Sequence, residues 1–220
     1  MPLEMNTEFA RTQMVAQQVR GWEVLDPRVL DVLAAVPREH FVPEAYQKLA
    51  FAEATIPLGH GQFMMPPSLE GRMLQALELT PADEVLEIGT GSGFVTACLS
   101  RLAKAVVSVD IFPELTAAAG ERLAALGIDN VELLTMDATR ELPEGRFDAV
   151  AVTGSLPLFD TRFVEILKPG GRLFVVTGSP PVMEAQLVVR EAGDRPQLSS
   201  LFETNVPPLA NAPAPPAFRF

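Results

Sequence analysis

Apolar residues recur at helical spacing through the first part of the chain and then give way to short apolar runs. Phe9, Met14, Val15 and Val19 fall on one side of a helix that the pattern closes near Gly21. Asp26-Pro27 reads as a helix start, the acid as cap and the proline in the first turn, and Val29, Leu30, Leu33 and Val36 carry the stripe to Pro37. A short third helix opens at Pro43, with Tyr46 and Leu49 on its apolar side; Trp22 and Tyr46 read as packing residues of these helices. From Phe51 to Pro67 no period holds, and Pro57, Gly59, Gly61, Pro66 and Pro67 predict a long ordered loop. A further helix covers about Ser68 to Leu77, on a stripe of Leu69, Met73 and Leu77.

At Glu84 the rhythm changes. Glu84–Ile88, Ala105–Asp110, Val131–Thr135, Phe147–Val152 and Arg172–Thr177 are apolar runs of strand length. Helical stretches alternate with them, from about Phe94 to Ala103, from Pro113 to the capping Gly127, and around Phe159 to Leu167. Lys168-Pro169-Gly170-Gly171 reads as a turn. Apolar strands alternating with helices predict an α/β fold with a mainly parallel sheet covered on both faces and right-handed crossovers. Met183, Ala185, Leu187 and Val189 then alternate with more polar positions, and Leu201–Val206 is the expected partner across a loop with Gly193, Asp194 and Pro196. An antiparallel hairpin therefore finishes the sheet. The tail Pro207–Phe220 holds five prolines and is expected to cross the surface without regular structure. This gives a helical cap over residues 1–80, a sheet domain over 81–206 and a tail over 207–220.

Composition narrows the classes of function. Lys and Arg total 17 and Asp and Glu 28, for a net charge of −11, which disfavours a nucleic-acid binder because phosphate contacts need clustered cations. One cysteine, Cys98, excludes an internal disulfide framework and a multi-cysteine zinc site, and the two histidines, His40 and His60, make no metal centre. No metal is expected. The first residues lack the apolar run of a signal peptide, and no stretch matches a membrane helix. The expectation is a soluble cytoplasmic protein, monomer or homodimer, with no membrane partner.

Candidate chemistry lies at Glu87-Ile88-Gly89-Thr90-Gly91-Ser92-Gly93, between a strand and a helix. Glycines there let the backbone turn tightly and approach a ligand, at the sheet edge where open α/β folds bind. Asp110 ends the next strand, twenty-one residues after Gly89, where a carboxylate accepts from both hydroxyls of a ribose. Ile111 follows it at the same edge. The spacing is G-x-G-x-G, with Phe94 where a dinucleotide fingerprint has its last glycine. Glu87 would repel a pyrophosphate and suits a cationic ligand, which favours S-adenosylmethionine over a nicotinamide dinucleotide. Asp137 follows the third strand, in reach of an adenine amino group; its plain alternative is an ordinary loop aspartate. Cys98 reads as a small packed residue, and His60 as a solvent-facing residue of the loop near the acceptor mouth.

Glu87–Gly93, Asp110, Asp137 and Leu167–Gly171 resemble the class I S-adenosylmethionine-dependent methyltransferases. Met14–Val19, the run Val36-Pro37-Arg38-Glu39-His40-Phe41-Val42-Pro43, and Ile56-Pro57-Leu58-Gly59-His60-Gly61-Gln62 resemble the protein-L-isoaspartate O-methyltransferases. The similarity runs from about Met14 to Gly178, with an echo at Asn205–Leu209. The resemblance implies a Rossmann-like methyltransferase sheet with S-adenosylmethionine as cofactor. It implies transfer of the methyl to the α-carboxylate of isoaspartyl residues, within a carboxylate-bearing protein, peptide or small molecule. It places the cofactor against Phe63, Met64, Met65, Glu87, Gly89, Thr90, Gly91, Ser92, Gly93, Asp110, Ile111, Asp137, Ala138 and Thr153. It also favours a place near the acceptor mouth for Phe218 and Phe220, against the alternative of a second subunit.

The sequence departs from the family at the acceptor. Where the family reads G-Q-T-I-S-x-P, this chain has Gly61-Gln62-Phe63-Met64-Met65-Pro66-Pro67, so that Phe63 and Met65 replace two hydroxyls. The family's Asp-Gly after the third strand is Asp137-Ala138. No catalytic residue is assigned, since the family's serine position is Met65. Thr153 and Ser155 after the fourth strand read either as donors to the acceptor or as turn caps. A carboxylate short of donors is disfavoured, which predicts weak isoaspartyl methylation. Three readings stand at this point: an isoaspartyl methyltransferase, a relative with another acceptor, and a non-catalytic cofactor-binding module.

Overall fold

The computed structural model describes residues 7–191 and 196–215. Helix α1 (Thr7–Gln13) runs into a wide-turned helical segment, Met14–Val19, and a tight turn, Arg20–Trp22. The wide turn shifts the phase of the buried face. Met14, Val15 and Val19 reach the core, whereas Phe9 and Trp22 stay exposed, against the sequence expectation for both. Helix α2 (Pro27–Ala35) starts as expected, with the Asp26 side chain accepting from the Arg28 amide. The third helix is two 3₁₀ segments, Arg38–Phe41 and Glu44–Leu49. Their three-residue turn turns Tyr46 and Leu49 outward, so Tyr46 is not a core packing residue either.

The expected loop before Pro67 contains a hairpin, β1 (Ile56–Gly59) and β2 (Gln62–Met64). Strands this short show no period in sequence. Gly59, His60 and Gly61, all at positive φ, make its turn. Helix α3 (Pro67–Ala76) follows.

Strands β3 (Glu84–Ile88), β4 (Ala105–Asp110), β5 (Val131–Thr135), β6 (Phe147–Leu156), β7 (Leu167–Ser179), β8 (Val182–Val189) and β9 (Gln197–Glu203) form one sheet in the order β5-β4-β3-β6-β7-β8-β9. The first five strands in that order pair parallel, and β8 and β9 add an antiparallel finish. Helices α4 (Phe94–Leu102) and α5 (Pro113–Ala125) match the sequence pattern. Winding runs outward from β3 to β5 and then returns to β6 on the other side of β3, which places a crevice at the strands' carboxyl ends.

Four expectations change in the second half, the first being the closing strand, which pairs with β8 over Gln197–Glu203 and not over Leu201–Val206. The helix around Phe159–Leu167 shrinks to one turn, α6 (Arg162–Glu165), because Asp160 binds Arg162 and Arg162 reaches the carbonyls of Thr139 and Arg140. Lys168–Gly171 is a bulge within β7, held by a hydrogen bond from the Gly170 amide to the Arg190 carbonyl at 2.7 Å. The tail also does pair: Ser155 donates to the Pro207 carbonyl at 2.9 Å and Leu209 donates to the Ser155 carbonyl at 3.0 Å. Both bonds use the neighbours of Pro208, so its missing donor costs nothing there. Phe218, Phe220 and the loop residues Gly193 and Asp194 lie outside the described residues.

The cap packs on one face of the sheet, in an apolar cluster that joins Met14, Leu33 and Phe41 to Phe94, Ala151 and Phe174. Leu86, Val150, Phe163 and Leu173 fill the other face. Among the described residues no helix is long and apolar enough to cross a membrane.

Candidate active site

The β3–α4 loop is the pivot of the crevice. Gly89 has φ +99°, and a Cβ there would stand 2.3 Å from Thr153 Oγ1. The two backbones approach so closely because Thr153 Oγ1 donates to the carbonyls of Gly89, at 2.6 Å, and Ile88, at 3.0 Å. Gly93, at φ +85°, caps α4 where Ala119 leaves no room for a side chain. Among the candidate hydroxyls, then, Thr153 spends its proton on the loop. Ser155 Oγ is buried without a partner.

Asp110 closes the loop from the end of β4. Its Oδ2 accepts from the Gly91 amide at 2.8 Å and its Oδ1 from the Phe112 amide at 3.0 Å. Burial raises the pKa of this carboxyl, against those backbone donors. Each oxygen has accepting capacity left and the residue lines the crevice, which suits two vicinal hydroxyls.

Three joined clefts meet at Gly89. One, of about 360 Å³, lies between Asp110, Ile111, Asp137 and Ala138 and is closed on one side by Leu209. A second, of about 280 Å³, runs along Thr90, Gly91 and Ser92 toward Met65. The third, of about 550 Å³, opens between the β1–β2 hairpin and the segment Asn205–Pro207. Phe63 is half-exposed at its rim, while Met64 and Met65 are buried in its wall. Thr55, Gln62 and Asn205 supply polar ends, and among the described residues no Lys, Arg or His lines it.

Not every expected residue faces these clefts. Gly93 acts through the α4 cap. Glu87 is fully buried beneath the loop, where Ser108 donates to it at 2.6 Å and Thr96 donates to the same oxygen. Burial outweighs those bonds and pushes its pKa to about 8. Ser108 also bonds Thr90, at 2.6 Å, so Glu87 anchors the loop from below. Asp137 is at the cleft, but its carboxylate is occupied by Thr139, Arg140 and Asn211. Burial alone would raise its pKa; these partners lower it. His60 stacks on Phe112 with centroids 4.5 Å apart, and Cys98 is buried in α4.

The structure adds residues to those that the sequence assigned to the site. Leu209 and Asn211 come from the tail. Glu70 lines the cleft beside the glycine loop and pairs with Arg38, both fully buried. Their signal in sequence is an acid on the buried face of α3, one residue from Leu69 and three from Met73, and a base between the buried Val36 and Phe41.

Known proteins resemble the chain throughout. The family profile described as Protein-L-isoaspartate(D-aspartate) O-methyltransferase (PCMT) matches residues 10–208. A Pelobacter propionicus protein named protein-L-isoaspartate O-methyltransferase 2 is 38% identical over 194 residues, 88% of this chain and 86% of the relative. A Magnetococcus marinus protein-L-isoaspartate O-methyltransferase is 44% identical over 173 residues, 78% of this chain and 75% of the relative. Among solved structures, a Plasmodium falciparum protein assigned to the same enzyme class, in complex with S-adenosyl-L-homocysteine, superposes with a TM-score of 0.78 at 17% identity. It covers 90% of this chain and 97% of that one.

Proposed function

The chain belongs to the protein-L-isoaspartate(D-aspartate) O-methyltransferase family, and on that premise we propose how its crevice performs that family's reaction. The protein is an S-adenosylmethionine-dependent methyltransferase acting on isoaspartyl residues of proteins and peptides. One observation carries the residue assignment: Asp110 presents two accepting oxygens beside a glycine loop pressed against Thr153. The cradle fits the cofactor, since Gly89, Gly91 and the Asp110 carboxylate line one cleft together. Asp110 holds the ribose hydroxyls, Ile111 and Ala138 flank the base, and Asp137 receives the adenine amino group. The cofactor supplies a sulfonium methyl open to in-line attack by a carboxylate. The protein contributes alignment and exclusion of water, which such a transfer needs in place of a covalent intermediate.

The acceptor enters through the cleft between the β1–β2 hairpin and Asn205–Pro207. Its walls at Met64, Met65, Leu69 and Val206 strip water from the attacking carboxylate, and Thr55, Gln62 and Asn205 hold the acceptor in place of the hydroxyls replaced by Phe63 and Met65. Transfer of labelled methyl from S-adenosylmethionine to an isoaspartyl peptide and to its aspartyl counterpart tests the reading. A base-labile ester on the isoaspartyl peptide alone is expected; equal labelling of both, or of neither, contradicts it.

A further inference from the structure

The cleft along the glycine loop ends on a carboxylate that the loop motif does not supply. Glu70 stands in the first turns of α3, 1% exposed, and lines the wall opposite Thr90–Ser92. Its Oε2 is taken by Arg38 Nη1. Arg38 is itself immobilised. Its Nε donates to the Ala50 carbonyl and its Nη2 to the Met65 carbonyl, both at 2.8 Å, and its guanidinium lies 4.8 Å from the Phe94 ring centre. The guanidinium therefore holds Glu70 in one orientation. The other oxygen, Oε1, is buried and accepts no hydrogen bond from the described residues. A carboxylate oxygen in a cavity wall without a donor is strongly disfavoured unless a ligand brings one.

We propose that Glu70, positioned by Arg38, receives the ammonium of the cofactor's aminoacyl end; the inference rests on the S-adenosylmethionine reading of the crevice. The alternatives within the site fail on geometry. Glu87, the acid of the loop motif, also has an unpartnered Oε1, but it lines none of the three clefts and lies beneath the loop, where Thr96 and Ser108 hold its Oε2. Ribose hydroxyls belong to Asp110, at the end of β4. The aminoacyl carboxylate would meet Glu70 as a like charge. An ammonium supplies the missing donor to Oε1. Burial holds the Glu70 carboxyl near a pKa of about 7 despite Arg38, as expected of a carboxylate with one oxygen still unpartnered.

The test compares three ligands by calorimetry on the full chain: S-adenosylhomocysteine, its desamino analogue, and 5′-methylthioadenosine, which lacks the aminoacyl chain. The unaltered protein should bind S-adenosylhomocysteine at least tenfold more tightly than the desamino analogue. In Glu70→Gln that preference should collapse to within twofold, with methylthioadenosine affinity unchanged. Removing one member of a buried ion pair threatens folding, so the paired change Arg38→Met with Glu70→Met is measured beside it and should show the same collapse. Methylthioadenosine binding reports an intact adenosyl site in both. A retained preference for the amine in either folded variant overturns the role of Glu70 while leaving the cofactor reading standing. Failure of the unaltered protein to bind any of the three overturns both.

Discussion

The Asn211 side-chain amide donates to Asp137 Oδ2 at 2.9 Å, tying the tail to the loop that follows β5. With Thr139 on Oδ1 and Arg140 also on Oδ2, the accepting capacity of Asp137 is full. An adenine amino group must displace one of these partners, and Asn211 sits on the oxygen nearest the tail. Asn211→Ala should therefore tighten S-adenosylhomocysteine binding by roughly two- to tenfold, the range of one hydrogen bond. Deleting residues 210–220 should shift affinity in the same direction and leave the fold intact, because the pairing at Ser155 uses Pro207 and Leu209. Weaker or unchanged binding in calorimetry would make Asn211 a plain wall residue.

The contact between Gly89 and Thr153 sets a second expectation. Alanine at Gly89 combines a backbone at φ +99° with a Cβ 2.3 Å from a hydroxyl. Strain of this kind costs on the order of 1–3 kcal/mol. Chemical denaturation of Gly89→Ala should show a loss in that range, together with weakened cofactor binding. A variant as stable as the parent would mean that the loop relaxes freely.

Glu87 makes stability depend on pH. Its pKa in the folded protein is about 8, above its ordinary value of 4.5, so between those values the folded state keeps a proton that the unfolded chain has lost. The contribution is present below about pH 4.5 and is lost as pH rises toward 8. Glu70, raised to about 7, acts in the same direction. Urea denaturation should show stability falling with pH across this window, by on the order of 1.4 kcal/mol per pH unit per group at most. Glu87→Gln should flatten the slope. An unchanged slope would place the titration elsewhere.

How much of this was legible before folding differs by region. The strand, glycine loop and acid from Glu84 to Asp110 announce themselves because local runs, glycine spacing and one acid coincide within a single strand-loop-helix-strand stretch. The β1–β2 hairpin does not, since strands of three and four residues carry no period. Arg38 and Glu70 are thirty-two residues apart, and each alone reads as an ordinary surface charge; only the cap's packing buries them together. The proline density of the tail argued against pairing, yet the sheet uses the residues on either side of Pro208. Trp22 and Tyr46 looked like core and lie outside, because wide and tight helical turns rotate them away from the apolar face.

Phe63 and Met65 occupy positions where the family carries hydroxyls. The double change Phe63→Thr with Met65→Ser should raise kcat/KM on an isoaspartyl peptide, each restored donor being worth roughly 1–3 kcal/mol beside a buried carboxylate. Met65 is buried, so the same variant should lose about 2–3 kcal/mol of stability to the cavity left behind. Unaltered turnover would assign the acceptor's grip to Thr55, Gln62 and Asn205 alone.

The cofactor assignment depends on the ribose lying on Asp110. Titration of S-adenosylhomocysteine into the parent protein and into Asp110→Ala tests that directly. Removing a carboxylate that accepts two hydroxyls should weaken binding by about 1.5–3 kcal/mol, roughly ten- to hundredfold. The variant should remain folded, since Asp110 accepts only backbone amides within the protein. Equal affinity in the two proteins would contradict the account, because the cofactor would then lie somewhere other than the cradle between Gly89 and Asp110.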